Sequence, residues 1–465
     1  MYWDKVNSRP AADNPWYNQQ HNFENTTAHW GYDFNHESIH TQNLVDSINS
    51  YWMSEFKVDG FRFDFTKGFS NTPWIGNDNW GSAYDADRIN ILKRMADEIW
   101  ERNENAYVIF EHLSDNTEET ELAEYGIMLW GNMNYNYNEA TMGYHDGGKS
   151  NLSGISYQYR GWNNPHLVGY MESHDEERLM YKNLRWGNSN DTYDVTQLST
   201  ALSRMETASA FFFTIPGPKM MFQWGELGYD FSINRCSNGT VDDEGGCRLD
   251  PKPIRWDYYD YPYRYRLYQV FSALIKLRIE EDLFETTDYS LTVSGALKKI
   301  HLNSASMNAT ILGNFDLIEG SIAPSFQHTG TWYEYFSGTT LEVIDVNESL
   351  NLNPGEYRIY TDVELETPDI PPVTTEKVQH EIELLRIYPN PSTGNINFIQ
   401  QSNGKVKFEL YNITGDLVYD NQRFAYSNEI VQLNVKSDDT PLSNGIYIYK
   451  IYTKEKIAQG KLMLE

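Results

Sequence analysis

From residue 41 to residue 280 the chain alternates between short apolar runs and longer stretches whose apolar residues recur every three or four positions. That alternation constrains the fold more than any other feature, because a strand, a helical crossover and a second strand place parallel strands side by side under a layer of helices. Leu44, Val45, Ile48, Trp52 and Phe56 stand at helical spacing, with Thr41 as the expected N-cap. A strand-like run with Gly60 inside it follows at 58–65, then a helix around Ile91, Leu92, Met95 and Ile99 that Asp85 would cap. Further strands are expected at 106–110, 126–129 and 167–171, and a helix through Leu198, Leu202 and Met205. An apolar stretch at 219–222 and a helix through Leu267, Phe271, Leu274 and Ile275 complete the series. The expected class is α/β, with a parallel sheet of the barrel type.

After residue 282 the pattern changes to short alternating segments (LKKIHLNS, MNATILGNF, GTWYEYFSG, GEYRIYTD) broken by Gly, Asn and Pro, as an antiparallel β domain requires. The run ETPDIPPVTTEKVQHE holds three prolines without apolar period and suits an extended linker, after which strand and turn signals return. The expected division is therefore 1–282 α/β, 283–365 all-β, 366–382 linker and 383–465 a small β-sandwich. With 37 Lys and Arg against 66 Asp and Glu, the net charge of −29 repels phosphate backbones and anionic lipid heads. Nucleic acid is excluded as a natural partner, and no apolar run is long enough to insert in a membrane. The only two cysteines, Cys236 and Cys247, lie in a Gly-, Asn- and Asp-rich stretch that reads either as a stapled loop or as two unrelated thiols. The first residues lack the basic start and apolar stretch of a secretory signal.

In a parallel barrel the reactive groups sit where strands end. The run at 58–65 ends with Arg62 and Asp64 two apart, on one face of a strand, with Lys67 just beyond. A carboxylate beside a fixed cation stays ionised. The next strand runs into Glu111 directly after YVIF, and a carboxyl at an apolar margin has its pKa raised, which suits a general acid. The strand at 167–171 runs out into Glu172, Ser173, His174 and Asp175. One ionised carboxylate, one protonated carboxyl and a further negative charge are what glycosidic cleavage through an oxocarbenium-like transition state needs. Solvated acids at strand ends are the plainer alternative in so acidic a chain.

GFRFDFTK (60–67), IFEH (109–112) and ESHD (172–175) resemble three signature regions of the α-amylase family, glycoside hydrolase family 13, in the family's order. FTIPGPKMMFQWGELG resembles its eighth strand and loop, and YGIMLWGNMNYNYNEATMGY its sixth. The resemblance implies an incomplete (β/α)8 barrel lacking its first strands, followed by the family's C domain. It implies Asp64 as nucleophile, Glu111 as acid/base and Asp175 as the third carboxylate. Arg62 would orient Asp64, His174 would bind sugar hydroxyls, and Lys67 would contact the leaving-group side. A retaining pair should stand roughly 5–5.5 Å apart. The family's first signature is absent: Asp33-Phe34-Asn35-His36 has its letters at the wrong spacing, so that histidine is not carried over. The chain reads as N-terminally incomplete, with two open sheet edges. The resemblance also raises Ca2+, but of the family's ligands only the Gly68 carbonyl has a counterpart, and Asp242, Asp243 and Glu244 read as a solvated loop face.

IYPNPSTG, LYNITGDLVYD, LSNGIYIYKI and KIAQGKLML resemble the C-terminal sorting domain of the type IX secretion system of Gram-negative bacteria. The implied route is to the cell surface or medium, where an oxidising environment favours a Cys236–Cys247 bridge. Together these features lead us to expect a secreted enzyme that cleaves α-1,4-glucans with retention, its partners being the glucan and the secretion machinery. The alternatives are a transglycosylase or debranching enzyme of the same family, or a non-catalytic glucan-binding protein.

Overall fold

The computed structural model describes residues 2–370, 387–399, 404–425, 430–436, 442–453 and 457–465. They form two compact units, 1–372 and 373–465. The first is built on five parallel strands, β1 (Gly60–Phe63), β2 (Tyr107–Phe110), β3 (Met128–Asn132), β4 (Leu167–Tyr170) and β5 (Lys219–Met220), hydrogen-bonded in chain order. Among the described residues β1 and β5 have no strand on their outer sides. The strand expected at 126–129 starts later, at Met128, because Gly126 ends the preceding helix in the left-handed conformation. Gly60 is required by packing: a Cβ there would stand 2.3 Å from the Tyr107 carbonyl oxygen.

Among the described residues seven α-helices flank the sheet: α1 (Ile39–Phe56), α2 (Ala86–Trp100), α3 (Asn116–Tyr125), α4 (Asn134–Met142), α5 (Leu179–Trp186), α6 (Leu198–Phe213) and α7 (Pro262–Glu280). The cap of α1 is Ser38, whose Oγ accepts from the His40 amide, whereas Thr41 lies inside the helix and donates to the Trp16 carbonyl. Four residues of the expected apolar stripe of α1 face solvent: Leu44, Ile48, Trp52 and Phe56 are 38–56% exposed, and only Val45 and Met53 reach the core. Asp85 caps α2 as expected, accepting from Asp87 and Arg88 amides. Helices α3, α4 and α5 have no counterpart in the sequence expectation.

Eight antiparallel strands follow: β6 (Tyr289–Thr292), β7 (Leu297–Asn303), β8 (Asn308–Asn314), β9 (Gly320–Ile322), β10 (Gly330–Glu334), β11 (Thr340–Val343), β12 (Leu350–Leu352) and β13 (Tyr357–Thr361). Six form a sheet in the order β11-β10-β13-β8-β7-β6, and β9 pairs with β12. One face carries a core around Trp332, Leu312 and Leu352; the other packs Ile300, Leu302 and Ile311 against α6 and α7. Phe211 of α6 presses on β8 at Gly313, where a Cβ would stand 2.4 Å from its ring. The stretch read as linker begins against α7, with Ile370 packed on the core, and 371–386 lie outside the described residues.

The second unit has a pair, β14 (Asn395–Ile399) with β17 (Ile430–Asn434), and a four-stranded sheet. The latter runs β16 (Leu417–Ala425), β15 (Gly404–Tyr411), β18 (Gly445–Tyr452), β19 (Ile457–Leu464), all antiparallel, around Ile396, Phe398, Phe408, Leu433, Tyr449 and Ile451. Among the described residues no helix is long and apolar enough to cross a membrane.

Candidate active site

Strands β1 and β2 pair in register, with Phe63 opposite Phe110, so Asp64 and Glu111 leave the same end of neighbouring strands as next-door residues. The backbone fixes that end: the Glu111 amide donates to Phe63 (2.9 Å) and the Thr66 amide to Glu111 (3.0 Å). Phe65 takes the left-handed conformation and its amide donates to Glu111 Oε2 at 3.0 Å. Arg62 ties both carboxyls, Nη1 to Asp64 Oδ1 at 2.6 Å and Nη2 to Glu111 Oε2 at 2.8 Å. Its guanidinium lies 4.0 Å over the Trp130 ring, which projects from β3.

This arrangement separates the two acids. Burial pushes Asp64 up, but the hydrogen bond with Glu111 and the charge and hydrogen bond of Arg62 outweigh it, with His174 adding to them, so Asp64 sits below the usual carboxylate range. Burial and the hydrogen bond to Asp64 push Glu111 up, against the Phe65 amide and Arg62. One group favours the anion and its neighbour favours the proton.

Beneath the pair lies a buried polar network. Thr66 Oγ1 meets His112 Nδ1 at 2.9 Å, His112 Nε2 meets Glu118 Oε1 at 2.8 Å, and Arg88 binds Glu118 through Nε (2.6 Å) and Nη2 (2.7 Å). Arg88 also donates to the Lys67 carbonyl, so the network holds the turn that follows Asp64. Removing one partner would leave a buried charge unpaired, at a cost of about 3–5 kcal/mol. Lys67 is half-buried, its ammonium 3.4 Å from Ser82 Oγ and from the Leu113 carbonyl. Desolvation pushes it down, assisted by Arg88 and opposed by Asp78, Glu111 and Glu119.

Asp175 comes from the loop after β4. His174 Nε2 stands 3.3 Å from Asp175 Oδ2, and the His174 ring faces Trp130 at 6.0 Å between centroids. The Tyr170 hydroxyl is raised by burial and by the charges of Glu176, Glu111 and Asp175, with Arg62 opposing. The six expected residues Arg62, Asp64, Lys67, Glu111, His174 and Asp175 thus gather at one end of the parallel sheet. Sequence reasoning missed Trp130, Tyr170, Glu176 and Arg248. Arg248 ion-pairs with Asp175 Oδ1 from a loop closed by the Cys236–Cys247 disulfide. Its position directly after Cys247 was the available signal.

A cavity of about 280 Å³ opens beside Asp64, walled by Phe65, Trp30, Tyr32, His21 and His36. The His36 ring stacks on Phe69 at 3.7 Å, and burial lowers its pKa to about 4. Calcium finds no cage here. Among the described residues no three His, Cys, Asp or Glu side chains gather to hold a metal ion. The side-chain oxygens of Asp33, Asn35 and Asn71 each accept an amide proton from a neighbouring Asn. The residues present do not fit the ion.

Residues 386–465 match the Secretion system C-terminal sorting domain, which directs the chain by type IX secretion to the cell surface or medium. No curated protein matches the chain. Among solved structures, an Anoxybacillus α-amylase superposes with TM-score 0.54 at 14% identity, over 75% of this chain and 71% of that one. The Geobacillus thermoleovorans α-amylase, solved with acarbose, gives 0.51 at 14%, over 76% and 75%. Pullulanase from Bacillus acidopullulyticus gives 0.53 at 15%, over 71% and 41%. Identities this low speak for the fold alone. Residues 8–258 match the catalytic domain of α-amylase, more than half of the chain. The chain belongs to the α-amylase family of glycoside hydrolases.

Proposed function

We propose that this secreted enzyme cleaves α-1,4-glucans such as starch at internal bonds, with retention of configuration, in a site set in part of a (β/α)8 barrel. In the first step Asp64 attacks the anomeric carbon, the bond to the leaving oxygen breaks, and Glu111 gives that oxygen its proton. A glycosyl ester on Asp64 results. In the second, Glu111, now a carboxylate, takes a proton from water as the water oxygen attacks the same carbon and frees Asp64. Asp175 supplies negative charge beside the oxocarbenium-like transition state and accepts hydrogen bonds from the distorted sugar. His174 binds sugar hydroxyls, and Lys67 contacts the leaving side.

The observation that carries this reading is the single guanidinium of Arg62 on both carboxyls, with Asp64 held low and Glu111 held high. A retaining mechanism works with the two carboxyls roughly 5–5.5 Å apart, one on each side of the anomeric carbon. The test is release of reducing ends from starch by Asp64→Asn and Glu111→Gln, with the fold followed by circular dichroism. Activity should fall by about a hundredfold or more while the spectrum stays; near-normal turnover would refute the roles. The second reading is a debranching enzyme of the same family, which would use the same carboxyls. Products from amylose against pullulan separate the two.

A further inference from the structure

We propose that Arg248 is a positioning residue for Asp175, and that the disulfide-closed loop of residues 235–252 serves to deliver it. The inference rests on the reading of Asp175 as the third carboxylate of the site. Arg248 Nη2 ion-pairs with Asp175 Oδ1, and His174 Nε2 stands 3.3 Å from Oδ2, so Arg248 is the group that holds the carboxylate while lone pairs remain for a sugar hydroxyl. The need for a cation is local. Glu176 is the next residue; burial raises its pKa, the hydrogen bond from Ser173 lowers it, the charge of Asp175 raises it, and Arg248 and His174 lower it. Two adjacent carboxylates repel, and Arg248 is the arginine that offsets them.

An ion pair with a guanidinium 40% exposed is worth little unless its groups are held in place. The loop supplies that restraint. Arg248 directly follows Cys247, which is bonded to Cys236. The Lys252 ammonium gathers the carbonyls of Arg235, Cys247 and Asp250, each at 2.9 Å. Asp250 accepts from the Ser237 amide (2.7 Å) and hydroxyl (2.9 Å). The base of the loop is fixed to the same segment that carries Asp175: Glu177 accepts from Ser232 Oγ (2.6 Å) and the Ile233 amide (2.9 Å). The loop is therefore strapped to Glu177 where it starts and closed on itself by Lys252, and the disulfide beside Arg248 limits the freedom that would let it leave.

The experiment compares Arg248→Ala, Arg248→Lys, Cys236→Ser with Cys247→Ser, and the combination of these serines with Arg248→Ala. Arg248→Ala should lower kcat on starch by about tenfold to a hundredfold, with KM changing much less, as misplacement of a reacting group does. Arg248→Lys should recover part of the loss. The serine pair should match Arg248→Ala, and the combination should lose no more than either, since they act as one unit. Unchanged kcat in Arg248→Ala, no recovery by Lys, or losses that multiply would overturn the proposal. Hydrogen exchange over residues 172–178 gives a readout independent of turnover: it should quicken in Arg248→Ala and in the serine pair alike. If the wild type releases no reducing ends from starch or pullulan, the proposed reaction fails; if exchange at 172–178 is also unmoved by Arg248→Ala, the clamp fails by itself.

Discussion

The two sides of the site are built by different means. Asp64 and Glu111 stand on adjacent strands in register, fixed by backbone hydrogen bonds within one or two residues of each carboxyl. Asp175 stands five residues beyond β4, on a loop whose partner Arg248 comes from 73 residues further along the chain. The first side inherits its geometry from the sheet; the second depends on a long-range contact that a disulfide keeps in place. Strand pairing transmits position at little extra cost, whereas a loop must be held at several points before its carboxylate is useful.

The contrast can be broken at its strongest point first. Glu111→Gln should cost about 10²–10⁴ in kcat, the range for a general acid, while Tm stays near that of the wild type; a loss of less than tenfold, read by reducing-end release, would remove Glu111 from that role. Next is the foundation of the strand side. Arg88→Met leaves Glu118 buried without its guanidinium and should destabilise the first unit by about 3–5 kcal/mol in urea unfolding. A loss below 1 kcal/mol would mean the network does not support the turn after Asp64.

Arg62→Met sharpens the account of the pair. Removing the cation takes a lowering influence from both carboxyls, so both pKa values rise. Activity needs Asp64 ionised and Glu111 protonated. The acid limb of the kcat/KM profile, set by Asp64, and the alkaline limb, set by Glu111, should therefore both move to higher pH. A limb that stays put contradicts the bridge. The smallest effect is expected at Asp115, which caps α3 by accepting from the Thr117 amide at 2.8 Å. Asp115→Ala should cost about 1 kcal/mol and leave the pH profile unchanged.

The strand side was also the legible side. Asp64 and Glu111 follow short apolar runs whose parallel pairing is the ordinary result of strand-helix alternation, and Arg62 lies one strand period from Asp64. Helix α3 was not legible, because it buries Glu118 and Glu119 against Arg88 and Arg160, and a buried charge pair looks like surface in a hydrophobic pattern. Helix α4 hides in the same way by burying Asn134 and Asn138. In α1 the apolar spacing was read correctly as a helix, but spacing does not say what covers it: Ile48, Trp52 and Phe56 remain in solvent. For Arg248 the one signal was its place directly after Cys247, since nothing local ties a loop arginine to a carboxylate on another strand's loop.

The most direct test of the central claim is to trap the reaction with a deactivated α-glucosyl fluoride and map the modified peptide by mass spectrometry. The account predicts one sugar esterified to the Asp64 carboxyl, within the peptide containing GFRFDFTK. A stable adduct on any other residue, or rapid turnover of starch with no adduct formed, would contradict it.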